Sequence, residues 1–199
     1  MARYPVALQQ LITFLKKLPG VGTKTAERFA FHLLSWPPSE LAAFSTLAAN
    51  LRESITQCPE CHCLMEKTLC PFCADTMRDR SKICIITSPK DVYAIEETRS
   101  YKGLYHVLGC LLSPIEGKSI EHLHLDQLKK RIEAHPVKEI IIALDSTLEG
   151  DTTSLYLREY LLKWGLSVSR LAFGLPLGSS LDFVDGGTLA RAFTGRQSF

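Results

Sequence analysis

Cys58-Pro59-Glu60-Cys61 and Cys70-Pro71-Phe72-Cys73 are two C-x2-C knuckles joined by a short link. A pair of thiolates from each tight turn can converge on one tetrahedral ion. Between Cys58 and Cys73 there is little periodicity and few large apolar residues, so this stretch is expected to bury little and to fold around a metal. Apparent zinc binding energies of about 10–16 kcal/mol in small peptides are ample for that. Four cysteines leave no open coordination position, which makes the expected ion a structural Zn2+, one per chain, held by Cys58, Cys61, Cys70 and Cys73. His62 and Cys63 are spare ligands by proximity, but the symmetry of the two knuckles favours the four cysteines. Cys84 and Cys110 lie among apolar residues and read as small buried hydrophobes.

Towards the N-terminus, Leu8, Leu11, Ile12 and Leu15 have the spacing of an amphipathic helix. Leu18-Pro19-Gly20-Val21-Gly22 breaks it, because proline lacks a donor and glycine accepts positive φ. A second helix starts at Thr23, with Ala26, Phe29, Ala30, Leu33 and Leu34 as its apolar stripe, and Trp36-Pro37-Pro38 ends it. Ser39 is the expected cap of a third helix running toward Ile55. Two helices around a Gly20/Gly22 turn form a helix-hairpin-helix pattern, in which backbone comes close to a nucleic-acid phosphate. Amides opening the second helix lack intrahelical partners and carry positive partial charge. Lys24 and Arg28, four apart on one face, can reinforce that grip without reading base sequence. The competing reading is a plain helical hairpin with a solvated polar face. Gly22-Thr23-Lys24-Thr25 is not a nucleotide P-loop, since lysine does not follow the glycine directly and a helix precedes the turn.

Beyond the knuckles, Ile83-Cys84-Ile85-Ile86 and Glu139-Ile140-Ile141-Ile142-Ala143-Leu144 read as strands, the second covered on both faces. Helical patterns over Asp91–Thr98, Leu125–Ala134 and Thr153–Trp164 make this an α/β region with a mainly parallel sheet. Asp145, Glu149 and Asp151 follow the second strand, at the edge where such sheets place ligands, and carboxylates there can hold magnesium. They can equally solvate a loop and complement a helix dipole, with Asp151 as N-cap before Thr152-Thr153. Asp182 and Asp185 read as a strand edge and turn. Six histidines are scattered, Gly-x-Ser-x-Gly is absent, and Gly174-Leu175-Pro176-Leu177-Gly178-Ser179-Ser180 has no evident base, so no catalytic residue is assigned.

The chain has 199 residues, 46% of them hydrophobic and 22% charged, which fits a folded main domain with smaller modules. No apolar run approaches the roughly 18 residues of a membrane span, and Met1–Gln10 lacks a signal-peptide pattern. A cytoplasmic protein is expected, with cysteines used for metal instead of disulfides. A net charge of +2 gives one chain only a modest hold on DNA, so several copies would have to act together.

In this order the elements resemble the RecR family. The match runs from Leu18-Pro19-Gly20-Val21-Gly22 with Lys24, through the four cysteines, to Pro89-Lys90-Asp91-Val92 and Gly103-Leu104-Tyr105-His106-Val107-Leu108. It continues at Leu112-Ser113-Pro114, Glu149-Gly150 and Gly174-Leu175-Pro176. The resemblance implies an α+β multi-module fold: a helix-hairpin-helix region over 1–56, a four-cysteine zinc finger over 57–80, a Toprim-like α/β domain over 81–175 and a C-terminal extension over 176–199. It implies a non-enzymatic DNA-binding scaffold in recombinational DNA repair. Dimers or ring-like tetramers would surround DNA and, with RecO and RecF, help load RecA. By that likeness Gly20, Gly22, Lys24 and Arg28 contact DNA, while Glu149 and Asp151 are available to a partner protein. The chain departs from the family at Ile86-Thr87-Ser88-Pro89, which lacks the usual glutamate, at Asp145-Ser146 in place of Asn-Pro, and at Asp151 in place of a second glutamate. A catalytic Toprim site needs that first glutamate. The alternative functions are a magnesium-dependent nuclease or primase-like enzyme using Asp145, Glu149 and Asp151, and a pure protein-interaction module without DNA contact.

Overall fold

Helices α1 (Val6–Leu15) and α2 (Thr23–Leu34) pack together through Leu8, Ile12, Ala26 and Ala30, with Leu11, Leu15 and Val21 alongside. The computed structural model describes residues 4–196, and its contacts divide into two units, Met1–Ser54 and Ile55–Phe199. Within the first unit the stripe facing α1 is narrower than the sequence implies. Ala26, Ala30 and Leu33, at i, i+4 and i+7, are its buried residues, whereas Phe29 and Leu34 face outward at 38% and 64% exposure. Two alanines at the contact bring the helices close and leave Phe29 on the flank. Helix α3 (Pro38–Ser54) begins at proline, a favoured first helical residue, so Ser39 lies inside the first turn instead of capping it. None of the residues in α3 is buried; its Phe44 meets Trp36 edge to face at 5.8 Å.

The second unit opens with a short antiparallel hairpin, β1 (Ile55–Gln57) and β2 (Leu64–Glu66). Four parallel strands follow: β3 (Asp79–Ile86), β4 (Gly103–Val107), β5 (Glu139–Ala143) and β6 (Ser167–Arg170), in the order β4-β3-β5-β6. Central β3 places Cys84 opposite Tyr105 on one side and Ile141 on the other. Its side chains alternate between two cores. Ile83 and Ile85 point toward α5 (Leu125–Ala134) and α6 (Leu148–Leu162), meeting Leu128, Ile132, Leu157 and Leu161. Cys84 and Ile86 point the other way, into a core built from Val92 of α4 (Pro89–Glu97), Tyr105, Val107 and the finger residues Cys61, Cys63 and Phe72.

The finger therefore buries far more than its composition implies. Cys61 and Cys63 are fully buried and Phe72 nearly so, because the apolar partners come from the sheet and α4. Strand β5 is more buried at Ile140 and Ile142 than at Glu139, Ile141 and Ala143, so its two faces are not covered equally.

Helix α6 starts five residues ahead of the expected Thr153. Thr147 is its N-cap, accepting from the Gly150 amide at 3.1 Å. Asp151 consequently lies in the first turn and is not the cap. Asp185 caps α7 (Gly186–Thr194) by accepting from the Thr188 amide at 3.0 Å, and Asp182 sits in a single 3-10 turn, Leu181–Phe183; neither lies at a strand edge. No helix among the described residues is long and apolar enough to cross a membrane.

Gly150 is dictated by space, since a Cβ there would come within 1.9 Å of the Asp145 carbonyl oxygen. Backbone cannot yield as a side chain can, so Gly150→Ala is expected to lower stability by about 1–3 kcal/mol. Gly174, whose Cβ would meet nothing within 4 Å, serves as the comparison. Denaturant midpoints of the two alanine variants should differ clearly, and equal midpoints would refute the close approach.

Candidate metal centre and nucleic-acid interface

The four knuckle cysteines meet at one point. Their sulfurs all lie within 4.8 Å of one another, with Cys61 to Cys70 at 3.6 Å and Cys58 to Cys73 at 4.0 Å. Metal–sulfur bonds of about 2.3 Å in a tetrahedron require sulfurs about 3.8 Å apart, so the set fits a tetrahedral ion. Local backbone shapes the knuckles: the Cys58 amide donates to the Cys63 carbonyl, His62 donates back to Cys58, and the Cys73 amide points at the Cys70 sulfur. His62 adopts φ 60°, which turns the chain out of the first knuckle. Hydrogen bonds from Cys61 and then Cys73 hold the Cys70 thiol well below its ordinary range, while the thiols that share their protons with it are pushed up. Binding of a metal at such a cluster releases its remaining thiol protons.

Neither spare ligand joins this set. The His62 ring stacks on His124 with centroids 3.7 Å apart, and the Cys63 sulfur lies 4.0 Å from the Cys61 carbonyl. Cys84 is buried and its thiol pushed up to about 12 by desolvation, as a small core residue should be. Cys110 is only partly buried, beside the His122 carbonyl at 3.8 Å.

In the first unit, Gly20 takes φ 77°, the left-handed turn between the helices, and the Val21 amide donates to Leu18 across it. Gly22 is the N-cap of α2 and, having no side chain, leaves the following amides without a side-chain cap. Lys24 and Arg28 are exposed on this helix, and the Arg28 guanidinium lies 5.8 Å from the Phe29 ring centroid. Glycine at 20 and 22, open amides and Lys24 thus share one end of the helical pair, with Arg28 one turn further along α2.

The acidic residues behave differently from one another. Asp145 is exposed, and Glu149 lines an open cavity of about 440 Å³ with Thr87, Gly109, Ser113 and Lys118. Asp151 is occupied: Arg170 of β6 and Arg191 of α7 each donate to one of its oxygens at 2.7 Å, and both guanidiniums lie against the Phe173 ring, at 4.4 and 5.0 Å. Among the described residues, the cysteines are the only set of three or more His, Cys, Asp or Glu side chains brought close enough to share an ion. Sequence reasoning missed both arginines, because nothing in the local pattern marked Arg170 or Arg191 as facing an acid. It also missed Arg131, buried in α5. A charge between Leu128 and Ile132 on the apolar face of a helix was the available signal.

Three family descriptions match along the chain: the RecR helix-hairpin-helix over residues 8–54, the Toprim domain over 81–172 and the RecR C-terminal region over 174–197. The recombination protein RecR of Protochlamydia amoebophila (strain UWE25) is 55% identical over 197 residues, covering 99% of this chain and all of that protein. Those of Chlamydia pneumoniae and Chlamydia felis (strain Fe/C-56) are 51% and 49% identical, with full coverage of both chains. The chain belongs to the RecR family. Its α+β multi-module fold, with helical hairpin, cysteine cluster and Toprim sheet, is the one the sequence led us to expect. In this RecR-family chain the C-terminal region matched over 174–197 includes α7 and Arg191, so the Arg191–Asp151 ion pair joins that region to the Toprim domain, whereas the Arg170–Asp151 pair lies within it.

Arg170 first, and then Arg191, holds the Asp151 carboxyl below the usual aspartate range. A lowered folded-state value means that this contribution is present above the unfolded value of about 3.9 and is lost as pH falls below it. Protection factors of the α7 amides, corrected for the intrinsic exchange rate at each pH, should therefore fall in Asp151→Asn at neutral pH, and in the native chain as pH drops below about 4. Exchange in α7 that ignores both changes would show that the ion pairs do not hold it.

Proposed function

We propose that this RecR-family chain is a non-enzymatic DNA-binding scaffold of recombinational DNA repair, working in the cytoplasm as an oligomeric clamp. The observation that carries the reading is the open start of α2: uncapped amides, a left-handed Gly20, and the exposed Lys24 and Arg28. Such a surface takes phosphate and carries no sequence information. The relatives' name, recombination protein RecR, agrees with it. With a net charge of +2, useful affinity has to come from several chains on one DNA. A dimer or a ring-like tetramer provides them.

Roles divide along the chain. Residues 1–56 grip DNA, 57–80 form the finger, 81–175 present the Toprim surface to RecO- and RecF-type proteins through Glu149, and 176–199 form a C-terminal extension; the assembled protein helps load RecA. Asp151, engaged by two arginines, is a weaker choice for partner contact. The finger's ion is Zn2+, which all-thiolate tetrahedral sites favour; it links the two knuckles and supplies no chemistry. With Thr87 in place of an acid and Asp151 paired, the Toprim edge lacks the converging carboxylates that a magnesium-dependent enzyme requires.

Each phosphate contact that is lost should lower the salt dependence of binding by about one unit of log–log slope. Lys24→Ala with Arg28→Ala is expected to weaken DNA binding at all sequences and to flatten its salt dependence, with oligomer mass unchanged. Native-like affinity and slope in the double variant would remove the hairpin from DNA binding. Zinc should be present at one per chain by native mass spectrometry. Its removal should lower the melting temperature of the parallel sheet as well as the finger, because both share a core.

A further inference from the structure

Arg131 is a charged residue in a place where charge is costly. It projects from α5 and is 4% exposed. One guanidinium nitrogen donates to the Tyr105 carbonyl of β4, the other reaches the Cys73 sulfur at 3.8 Å, and its Nε is buried without a partner. Guanidinium does not deprotonate in proteins. A buried ion of this kind persists only where an opposite charge meets it. Among the described residues no carboxylate pairs with Arg131; the ion pairs are formed by other cations. The histidine buried nearby offers no anion either: imidazole is neutral or cationic, and burial, then the charge of Arg131 itself, pushes His106 down to about 3, which keeps it neutral. The Tyr105 carbonyl is a dipole. Of the groups that Arg131 touches, only Cys73 can be anionic.

The charges on the two sides then match. A divalent ion bound by four thiolates carries two negative charges in excess, in a cluster of which Cys58, Cys61 and Cys70 are buried and Cys73 is partly so. Each partner removes the other's desolvation problem. We infer that Arg131 is the counter-charge of the metal centre: its guanidinium donates to the ligand sulfur of Cys73 and neutralises part of the tetrathiolate's excess charge, so that the Toprim sheet and helix α5 take part in holding the ion. This inference rests on the zinc reading above. It goes beyond it by giving a residue 58 positions from Cys73 a role in metal affinity, as outer-shell donors have in other metal sites.

The test measures zinc affinity of the full-length chain by competition with a chromophoric chelator, for native protein, Arg131→Met, Arg131→Lys and Leu128→Ala. Leu128 is a fully buried neighbour on α5, so its truncation reports what loosened packing alone does to the metal. Arg131→Met is expected to weaken zinc binding on the order of 10–100-fold, Arg131→Lys less, because the charge is kept and the planar fork is lost, and Leu128→Ala least. The ligand thiolates of Arg131→Met should also alkylate faster in the zinc-loaded protein. Native zinc affinity in Arg131→Met, or an equal loss in Leu128→Ala, would overturn the inference and leave the zinc reading intact. A native chain that neither carries nor takes up zinc would overturn both.

Discussion

Strand β3 has to be covered on both faces. Ile83 and Ile85 require one apolar layer and Cys84 and Ile86 another, and a parallel sheet has no solvated side on which to economise. Helices α5 and α6 form the first layer. On the other face α4 is only one helix, and the space beside it is filled by the cysteine knuckles and Phe72. The finger is thus a piece of the α/β core that happens to be built around thiols. Its dependence on sheet partners explains why a segment so poor in large apolar residues can still exclude water.

That arrangement sets the limit of what the sequence discloses. The knuckle spacing, the stripes of α1 and α5, the apolar run of β3 and the glycine turn are local patterns, and each is legible from the residues themselves. Helix α5 ends where its pattern ends. The short polar strand β6, Ser167–Arg170, carries no alternation strong enough to announce itself, because it is held by pairing with β5. The early start of α6 is hidden by Glu149-Gly150-Asp151, which looks like a loop until the Asp145 carbonyl shows why glycine is needed inside the helix. Phe29 reads as core by spacing yet faces outward, since alanines at 26 and 30 decide which line along α2 meets α1.

The candidate sites divide in the same way. Thiols that must meet one ion are close in sequence, so the cluster is legible; carboxylates at a sheet edge have meaning only through what faces them. Asp151 follows Glu149 by two residues, yet it belongs to a different environment, bracketed by arginines from β6 and α7. Charge pairs of this kind join elements far apart in the chain, and residue type alone does not identify them. The aromatic ring of Phe173, lying against both guanidiniums, holds them in place over a single acid.

The contact between Arg131 and Cys73 also bears on the order in which the protein is made. Both knuckles leave the ribosome together, but the guanidinium follows 58 residues later. At about 5–20 residues per second that is a delay of roughly 3–12 s. During this interval the thiols are complete, yet the sheet that will shield them is unfinished. The nascent chain thus passes through a stage in which its cysteines are open to the solvent's metals and oxidants, and that window closes only when β5 and the helix before it are in place.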